Sequence, residues 1–239
     1  MDLSEKNKKS CPDDIERLRG EYERRDRDLN ICRDYSPFNP AHLYNLQSRQ
    51  RQMLSLLRQA GIPSLEGLRI LDLGCGYGGT SLELLHAGAS PETLHRCDIL
   101  FYRLAGSNTR LMNLPLINAD GQDLPFSNGQ FDLVLQSTVF SSILDSGLKK
   151  KIAEEIIRVQ KPGGIILWYD FWLNPTNKQV SGIHPSEIKG LFPGHRFIFR
   201  RITLAPPLTR RLIRISWTAC TLLESLKIFN SHYLGLIFK

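Results

Sequence analysis

The chain has no Cys-x-x-Cys pair, and its five cysteines, at positions 11, 32, 75, 97 and 220, are odd in number. Both facts speak against a disulfide framework and against a structural zinc site. The opening MDLSEKNKKSCPDD has lysines but no apolar run behind them, so it does not read as a secretory signal. Long apolar runs are missing as well. The most apolar late stretch, Ile215 to Ile237, is interrupted by Glu224, Lys227, Asn230 and His232, too many polar groups for a spanning helix. These absences predict a cytoplasmic protein with reduced thiols, and no metal is expected.

Acidic residues are scarce in one place. The formal charge is +7, from 31 Lys plus Arg against 24 Asp plus Glu. Between Leu191 and Lys239 eight basic residues (Arg196, Arg200, Arg201, Arg210, Arg211, Arg214, Lys227, Lys239) face the single acid Glu224, which leaves residues 1–190 neutral. A nucleic-acid binder spreads its positive charge over the working face, so nucleic acid is not the expected partner and the last fifth of the chain stands apart. What is abundant is core material. With 41% hydrophobic, 9% aromatic and 23% charged residues in 239, the composition fits one globular domain with an extension.

The first ten residues are polar and read as a frayed end. Asp13 to Asp34 alternates charges of both signs and predicts a solvated helix. After the break at Ser36-Pro37-Phe38-Asn39-Pro40, a second helix over His42 to Ala60 carries Leu43, Leu46, Met53, Leu54 and Leu57 and ends at Gly61. Residues 1–64 are therefore expected to be a helical extension or lid, and residues 65–239 the main domain. In that domain, strands over 68–73, 93–97, 116–119, 131–136 and 164–169 alternate with helices over 80–87, 101–113 and 147–159. The alternation predicts an α/β, doubly wound, mostly parallel sheet covered on both faces. A strand over 196–204, one long helix over 208–229 and a last strand over 232–238 complete seven strands.

The most informative stretch is Ile70-Leu71-Asp72-Leu73-Gly74-Cys75-Gly76-Tyr77-Gly78-Gly79-Thr80, a strand running through glycines into a helix. Glycines let the backbone turn sharply against a ligand, and the helix start offers free N–H groups. Gly74, Gly76 and Gly79 also satisfy the G-x-G-x-x-G dinucleotide pattern, with Asp98 as ribose carboxylate. Asp72 separates the readings. A carboxylate there opposes a pyrophosphate and suits a ligand bearing an ammonium and a sulfonium.

From about residue 65 to 239 the sequence resembles the Rossmann-like, class I S-adenosylmethionine-dependent methyltransferases, in particular the type 11 small-molecule branch. The resemblance implies S-adenosylmethionine as cofactor, S-adenosylhomocysteine as its product, a seven-stranded sheet with an antiparallel last strand, and N-terminal lid helices. By resemblance, Asp72, Gly74, Cys75, Gly76 and Gly78 wrap the methionine part of the cofactor, Asp98 binds the ribose hydroxyls and Ile99 packs on adenine. The segment Asn118 to Phe126 resembles the family's G-D-A-x-x-L-P-F adenine loop, with Asp120 and Gly121 at the adenine, and departs from it at Ala119 and Gly121. Phe131 to Gln136 matches the fourth strand, with Gln136 at the cofactor, and Arg158-Val159-Gln160-Lys161-Pro162-Gly163-Gly164 matches the turn into the fifth.

Methyl transfer is an in-line displacement that needs the nucleophile held close and aligned, plus a base if the acceptor is a hydroxyl or ammonium. Acceptor contacts are expected beyond the carboxyl ends of the strands, at Ser137 and Thr138, at Tyr169, Asp170 and Phe171, and at His184. Tyr169, Asp170 and His184 are the candidate catalytic groups; Tyr35, Phe38, Ser137 and Phe171 are the candidate acceptor contacts, the first two from the lid. His184 also reads as the start of a helix at Pro185. The expected acceptor is a small molecule or a lipid- or glycan-linked group, methylated on oxygen or nitrogen. Two alternatives stay open: a nicotinamide-dependent oxidoreductase, and a non-catalytic adapter with the methyltransferase fold. After the fourth strand stands Gln136-Ser137-Thr138-Val139 rather than an Asn-Pro-Pro-Tyr type sequence, which speaks against an RNA methyltransferase. In the basic last fifth, Leu208, Leu212, Ile215, Ala219, Leu222, Leu223 and Leu226 form an expected core stripe, with Arg210, Arg214 and Trp217 on another face. That second face is either a solvated surface or a contact with an anionic membrane surface, an acidic partner or a lipid-linked acceptor, away from the cofactor motifs.

Overall fold

Four consecutive buried residues, Ile70–Leu73, form the central strand β1, as a strand covered on both faces requires. In the computed structural model, which describes residues 11–108, 111, 113–174 and 177–239, β1 is flanked by the parallel strands β2 (Leu94–Asp98) and β4 (Phe131–Ser137). β3 (Leu116–Asn118) lies beyond β2, and β5 (Gln160–Phe171) beyond β4, both parallel. β7 (Asn230–Phe238) runs antiparallel to β5, and β6 (Arg196–Leu204) pairs antiparallel with β7, so β6 points the same way as the parallel strands. The order is β3-β2-β1-β4-β5-β7-β6. Winding reverses between β1 and β4, and a crevice opens there beyond the carboxyl ends. The seven strands and the antiparallel last one agree with the expectation. An antiparallel strand between the fifth and sixth positions also departs from the all-parallel dinucleotide-binding order.

Side chains alternate across the sheet. Leu71, Leu73, Val134 and Ile166 pack against α6 (Ser146–Val159), through Ile152, Ala153, Ile156 and Val159. Ile70, Leu133, Leu135 and Leu167 pack on the other side with Leu84 of α4 (Gly79–His86) and with Met53, Leu56 and Leu57 of α3 (Pro40–Gln59). α5 (Phe101–Asn108) follows β2, and α7 (Pro185–Leu191) precedes β6.

Three expectations change. The single helix over 13–34 is two, α1 (Cys11–Arg27) and α2 (Leu29–Asp34), because Asp28 leaves the helical conformation and its carboxylate accepts from Asn30 N and Ile31 N as a cap. The helix after β2 is described over Phe101–Asn108 and does not extend to Asn113, since Leu111 and Asn113 are not helical; positions 109, 110 and 112 lie outside the described residues, as do the first ten. The long helix over 208–229 is α8 (Pro206–Leu212) and α9 (Trp217–Ser225), broken at Ser216, which is extended (φ −160°, ψ 123°) and caps α9 by accepting from Ala219 N. The break turns the expected core stripe: Leu208, Leu212 and Leu223 pack inward with Ile213 and Cys220, while Ile215, Leu222 and Leu226 face solvent.

α8 and α9 form an excursion between β6 and β7, whose feet are joined by Ala205 N donating to Phe229 O at 3.0 Å. Since β6 is parallel to β4 and β5, this excursion sits at the same end of the sheet as the crevice. Arg210, Arg211, Arg214 and Lys227 of the excursion therefore stand at the cofactor-motif end of the sheet, while Arg196 and Lys239 lie at the other end. The excursion packs on Ala41 and Tyr44 of α3. Its one acid, Glu224, is buried and accepts from Tyr44 Oη (2.7 Å), Ser48 Oγ (2.6 Å) and Thr203 N (3.1 Å).

Candidate active site

β1 ends in Gly74, Gly76 and Gly78 at φ +71°, +52° and +77°, a conformation costly for a residue with a side chain. A Cβ at Gly74 would also strike Val139, and one at Gly78 would strike Leu111. The turn delivers the chain to the start of α4, where Gly78 supplies no side-chain cap and the first amides stay available to a ligand.

Beside this turn opens a cleft of about 880 Å³, within the range of small-molecule sites. Its floor comes from the sheet: Gly74, Cys75 and Gly76 after β1, Asp98 at the end of β2 with Ile99 after it, Asp120 and Gly121 after β3, and Ser137 at the end of β4 with Thr138 after it. Its roof comes from the N-terminal helices, through Tyr22, Tyr35, His42 and Arg49. The Asp98 carboxylate accepts one backbone amide on each oxygen, Gly76 N on Oδ2 and Leu100 N on Oδ1, both at 2.8 Å. Each oxygen keeps a lone pair for a further donor. Burial raises its pKa, opposed by those same amides. Asp120 accepts from Gln122 N at 2.9 Å and from Gln122 Nε2 at 3.0 Å. Thr138 sits at φ +58°, strained for a β-branched residue, and donates its amide to Tyr169 O at 2.8 Å.

The roof is latched at both ends. Asp26 of α1 accepts from Tyr77 Oη (3.2 Å) and Tyr102 Oη (3.0 Å) and pairs with Arg103 (3.2 Å), whose guanidinium lies 4.6 Å from both the Tyr22 and Tyr77 rings. At the other end Asp14 accepts from Leu144 N (2.9 Å) and Asp145 N (3.1 Å), and Arg17 donates to Ser142 O (2.6 Å). Tyr22 and Ser142 share a hydrogen bond of 2.9 Å.

Several predicted residues stand outside the cleft. Asp72 is buried beneath the turn, with Ser81 Oγ donating to it at 2.5 Å. Burial, with the nearby Asp98 and Glu83 carboxylates, pushes its pKa up to about 7. Gly78 is buried at the helix start, and Gln136 is buried too, bridging Asp170 and the amides of Val139 and Phe140. Asp170 is fully buried, accepting from Gln136 Nε2 (3.1 Å) and Trp168 Nε1 (3.0 Å), and burial pushes it up to about 6. Tyr169 stacks on His232 at 4.9 Å and shares a hydrogen bond with Thr203. Phe171 contacts His232 edge-on, and His184 is exposed at the start of α7 against Trp172. Phe38 is 96% exposed.

Sequence reading missed His42 and Arg49. His42 lines the cleft at the first turn of α3, 5.6 Å edge-on to Tyr35. Burial and then the Arg49 charge lower its pKa, so it is neutral at neutral pH. Arg49 pairs with Glu83 of α4 and lies 5.1 Å over the Tyr169 ring. Nothing in the local pattern around either residue marks it, because the tertiary packing of α3 over the sheet brings both to the cleft.

Residues 70–164 match the family described as "Methyltransferase domain". These residues carry a methyltransferase domain. Phthiotriol/phenolphthiotriol dimycocerosates methyltransferase 1 of Mycobacterium ulcerans (strain Agy99) is 34% identical over 125 residues, covering 51% of this chain and 43% of that protein. Norajmaline N-methyltransferase of Rauvolfia serpentina is 28% identical over 169 residues, covering 66% and 56%. The chain thus spans about half the length of the curated relatives it matches. In fold, it resembles a putative sarcosine dimethylglycine methyltransferase from Galdieria sulphuraria, at a TM-score of 0.58 and 17% identity over 80% of this chain and 85% of that one. The cofactor of the domain is S-adenosylmethionine, and the residues present fit it. Asp98 offers a carboxylate with spare lone pairs at the cleft wall, Ile99 an apolar surface beside it, and the uncapped start of α4 free amides.

Proposed function

We propose that this protein transfers the methyl group of S-adenosylmethionine to an oxygen or nitrogen of a small-molecule or lipid-linked acceptor, in the cytoplasm, as a step of small-molecule biosynthesis. One observation carries the reading: a single cavity is lined by a buried carboxylate at the end of β2, by the end of β4, and by an imidazole on the roof, whose burial holds it neutral. In this reading Gly74, Cys75, Gly76, Asp98, Ile99, Asp120 and Gly121 hold the cofactor, which supplies an electrophilic methyl when bound. Asp72 and Gln136 act from behind, fixing the start of α4 and the chain after β4. Tyr35, Ser137 and Thr138 position the acceptor. His42 takes the acceptor proton at an imidazole nitrogen. The segment 1–64 serves as lid over the domain 65–239, excluding water from the cleft. Relatives named for phthiotriol/phenolphthiotriol dimycocerosates, demethylmenaquinone, a sterol and norajmaline support an acceptor of this broad class.

The test is a calorimetric comparison of S-adenosylmethionine with NAD, followed by incubation with methyl-labelled S-adenosylmethionine and candidate acceptors, read by mass gain of one methyl group and matching release of S-adenosylhomocysteine. Preference for NAD would return the oxidoreductase reading. Tight S-adenosylmethionine binding with no transfer to any hydroxyl or amine acceptor would favour the adapter.

A further inference from the structure

Six large apolar side chains after α8 are exposed: Ile215 (82% exposed), Trp217 (43%), Leu222 (63%), Leu226 (57%), Ile228 (63%) and Phe229 (41%). Singly exposed apolar residues need no explanation, but six within fifteen positions of one excursion form a patch. Basic side chains flank it: Arg211, Arg214 and Lys227 are exposed among them, and Arg210 reaches Asp34 of α2 at 3.0 Å. The segment's one acid cannot balance them at the surface, since Glu224 is buried against Tyr44, Ser48 and Thr203. The excursion touches the roof of the cleft at two points, Trp217 on Tyr44 and Arg210 on Asp34. Trp217 meets Tyr44 of α3 edge-on at 5.5 Å, and Leu29 (83%) and Phe38 (96%), on either side of Asp34, are themselves bare. α3 therefore stands between two surfaces, with His42 and Arg49 toward the cleft and Ala41, Tyr44 and Ser48 toward the excursion.

We propose that the α8–α9 excursion, with Leu29 and Phe38 of the roof, is a docking surface for an anionic lipid bilayer. Apolar side chains ringed by Lys and Arg on a short helical excursion suit an interface where headgroups are negative and acyl chains begin just below. An acidic protein partner would satisfy the arginines but would leave Ile215, Leu222 and Ile228 no apolar slab to enter. Docking in this orientation sets the roof of the cleft, with Tyr35 beside Asp34, against the lipid surface, so a membrane-dissolved acceptor reaches the cleft without crossing water. The docking stands without the methyl-transfer reading; the route for the acceptor rests on it.

The full chain is sedimented with phosphatidylcholine vesicles, with and without phosphatidylglycerol, while Trp217 fluorescence is followed. Binding to the anionic vesicles alone, with a blue shift absent in Trp217→Phe, is expected. The set Arg211→Ser, Arg214→Ser, Lys227→Asn lowers partition about a hundredfold, roughly fivefold for each charge. The set Ile215→Ser, Leu222→Ser, Ile228→Ser lowers it by about tenfold or more. Both sets alter exposed side chains, and unchanged melting and S-adenosylmethionine affinity verify that the fold and the cofactor site persist. Equal binding to both vesicle types, no binding to either, or loss with the charge set alone would overturn the proposal, the last outcome indicating electrostatic adsorption to a polyanion without entry of the apolar side chains. Because cofactor affinity is measured separately, failure of docking and failure of the methyltransferase reading give different results.

Discussion

Asp26 of the first helix accepts a hydrogen bond from the Tyr77 phenol at 3.2 Å, tying the roof of the cleft to the glycine turn beneath it. The same carboxylate holds Tyr102 and Arg103, so one side chain joins α1 to two elements that flank the cofactor region. Asp26→Ala is expected to speed dissociation of S-adenosylmethionine about tenfold with little change in association, the effect of losing roughly 1.4 kcal/mol from the closed state. Stopped-flow fluorescence measures both rates, and an unchanged dissociation rate would show that α1 does not act as a lid.

Asp98 and Asp72 are both buried acids near the turn, but only Asp98 opens onto the cleft. Asp98→Ala is expected to weaken S-adenosylmethionine binding by about 2–3 kcal/mol, the scale of hydrogen bonds to a charged group. Asp72→Asn keeps an acceptor for Ser81 Oγ and is expected to bind within about threefold of wild type. Calorimetry separates the two, and comparable losses in both variants would mean that Asp72 touches the cofactor directly.

His42→Gln should lower kcat by about 100-fold or more while leaving cofactor affinity unchanged, the range of a lost general base. The acid limb of the pH–rate profile should disappear with it. His184→Gln, at an exposed helix start outside the cleft, is expected to act near wild type. A matching fall in both variants, or in neither, would refute the assignment.

Stability should depend on pH in opposite senses through two buried groups. Asp72 has a folded pKa raised from 3.8 to about 7, so its contribution is complete below pH 3.8, is lost as the pH rises to about 7, and is flat beyond. Burial lowers His232 from 6.5 to about 3; its contribution is complete above pH 6.5 and is lost as the pH falls through about 3. Asp72→Asn removes the first slope. Urea midpoints of this variant should therefore rise relative to wild type from pH 4 to pH 7, with a constant difference above that. A difference that stays flat over the whole range would show that Asp72 is ionised throughout in the folded protein.

The sheet was readable because its strands are short apolar runs punctuated by glycine and proline, and burial on both faces leaves Ile70 to Leu73 little else to be. Asp98 and the glycines were readable because local spacing alone places them at a strand end. The roof was not. Periodicity treats the charges of α1 as solvated, yet Asp14, Glu21 and Asp26 are bound by groups far along the chain. His42 and Arg49 become site residues only through the packing of α3 over the sheet, which no window of sequence contains. The core stripe expected over 208–226 held at Leu208, Leu212 and Leu223 but failed at Leu222 and Leu226 for a local reason: Ser216 is a better cap than a mid-helix residue, and one extended residue there resets the helical phase after it.

The bond from Ala205 N to Phe229 O gives the excursion between β6 and β7 the anatomy of a detachable part. Its feet leave and rejoin the sheet at the register pair Leu204 and Asn230, so the strands do not depend on its length. Relatives of this domain can therefore exchange the whole excursion for another while keeping sheet, cleft and cofactor loop intact, provided that the new part again covers Tyr44 and Leu204. Where a catalyst of this architecture works in the cell can in this way change independently of what it catalyses.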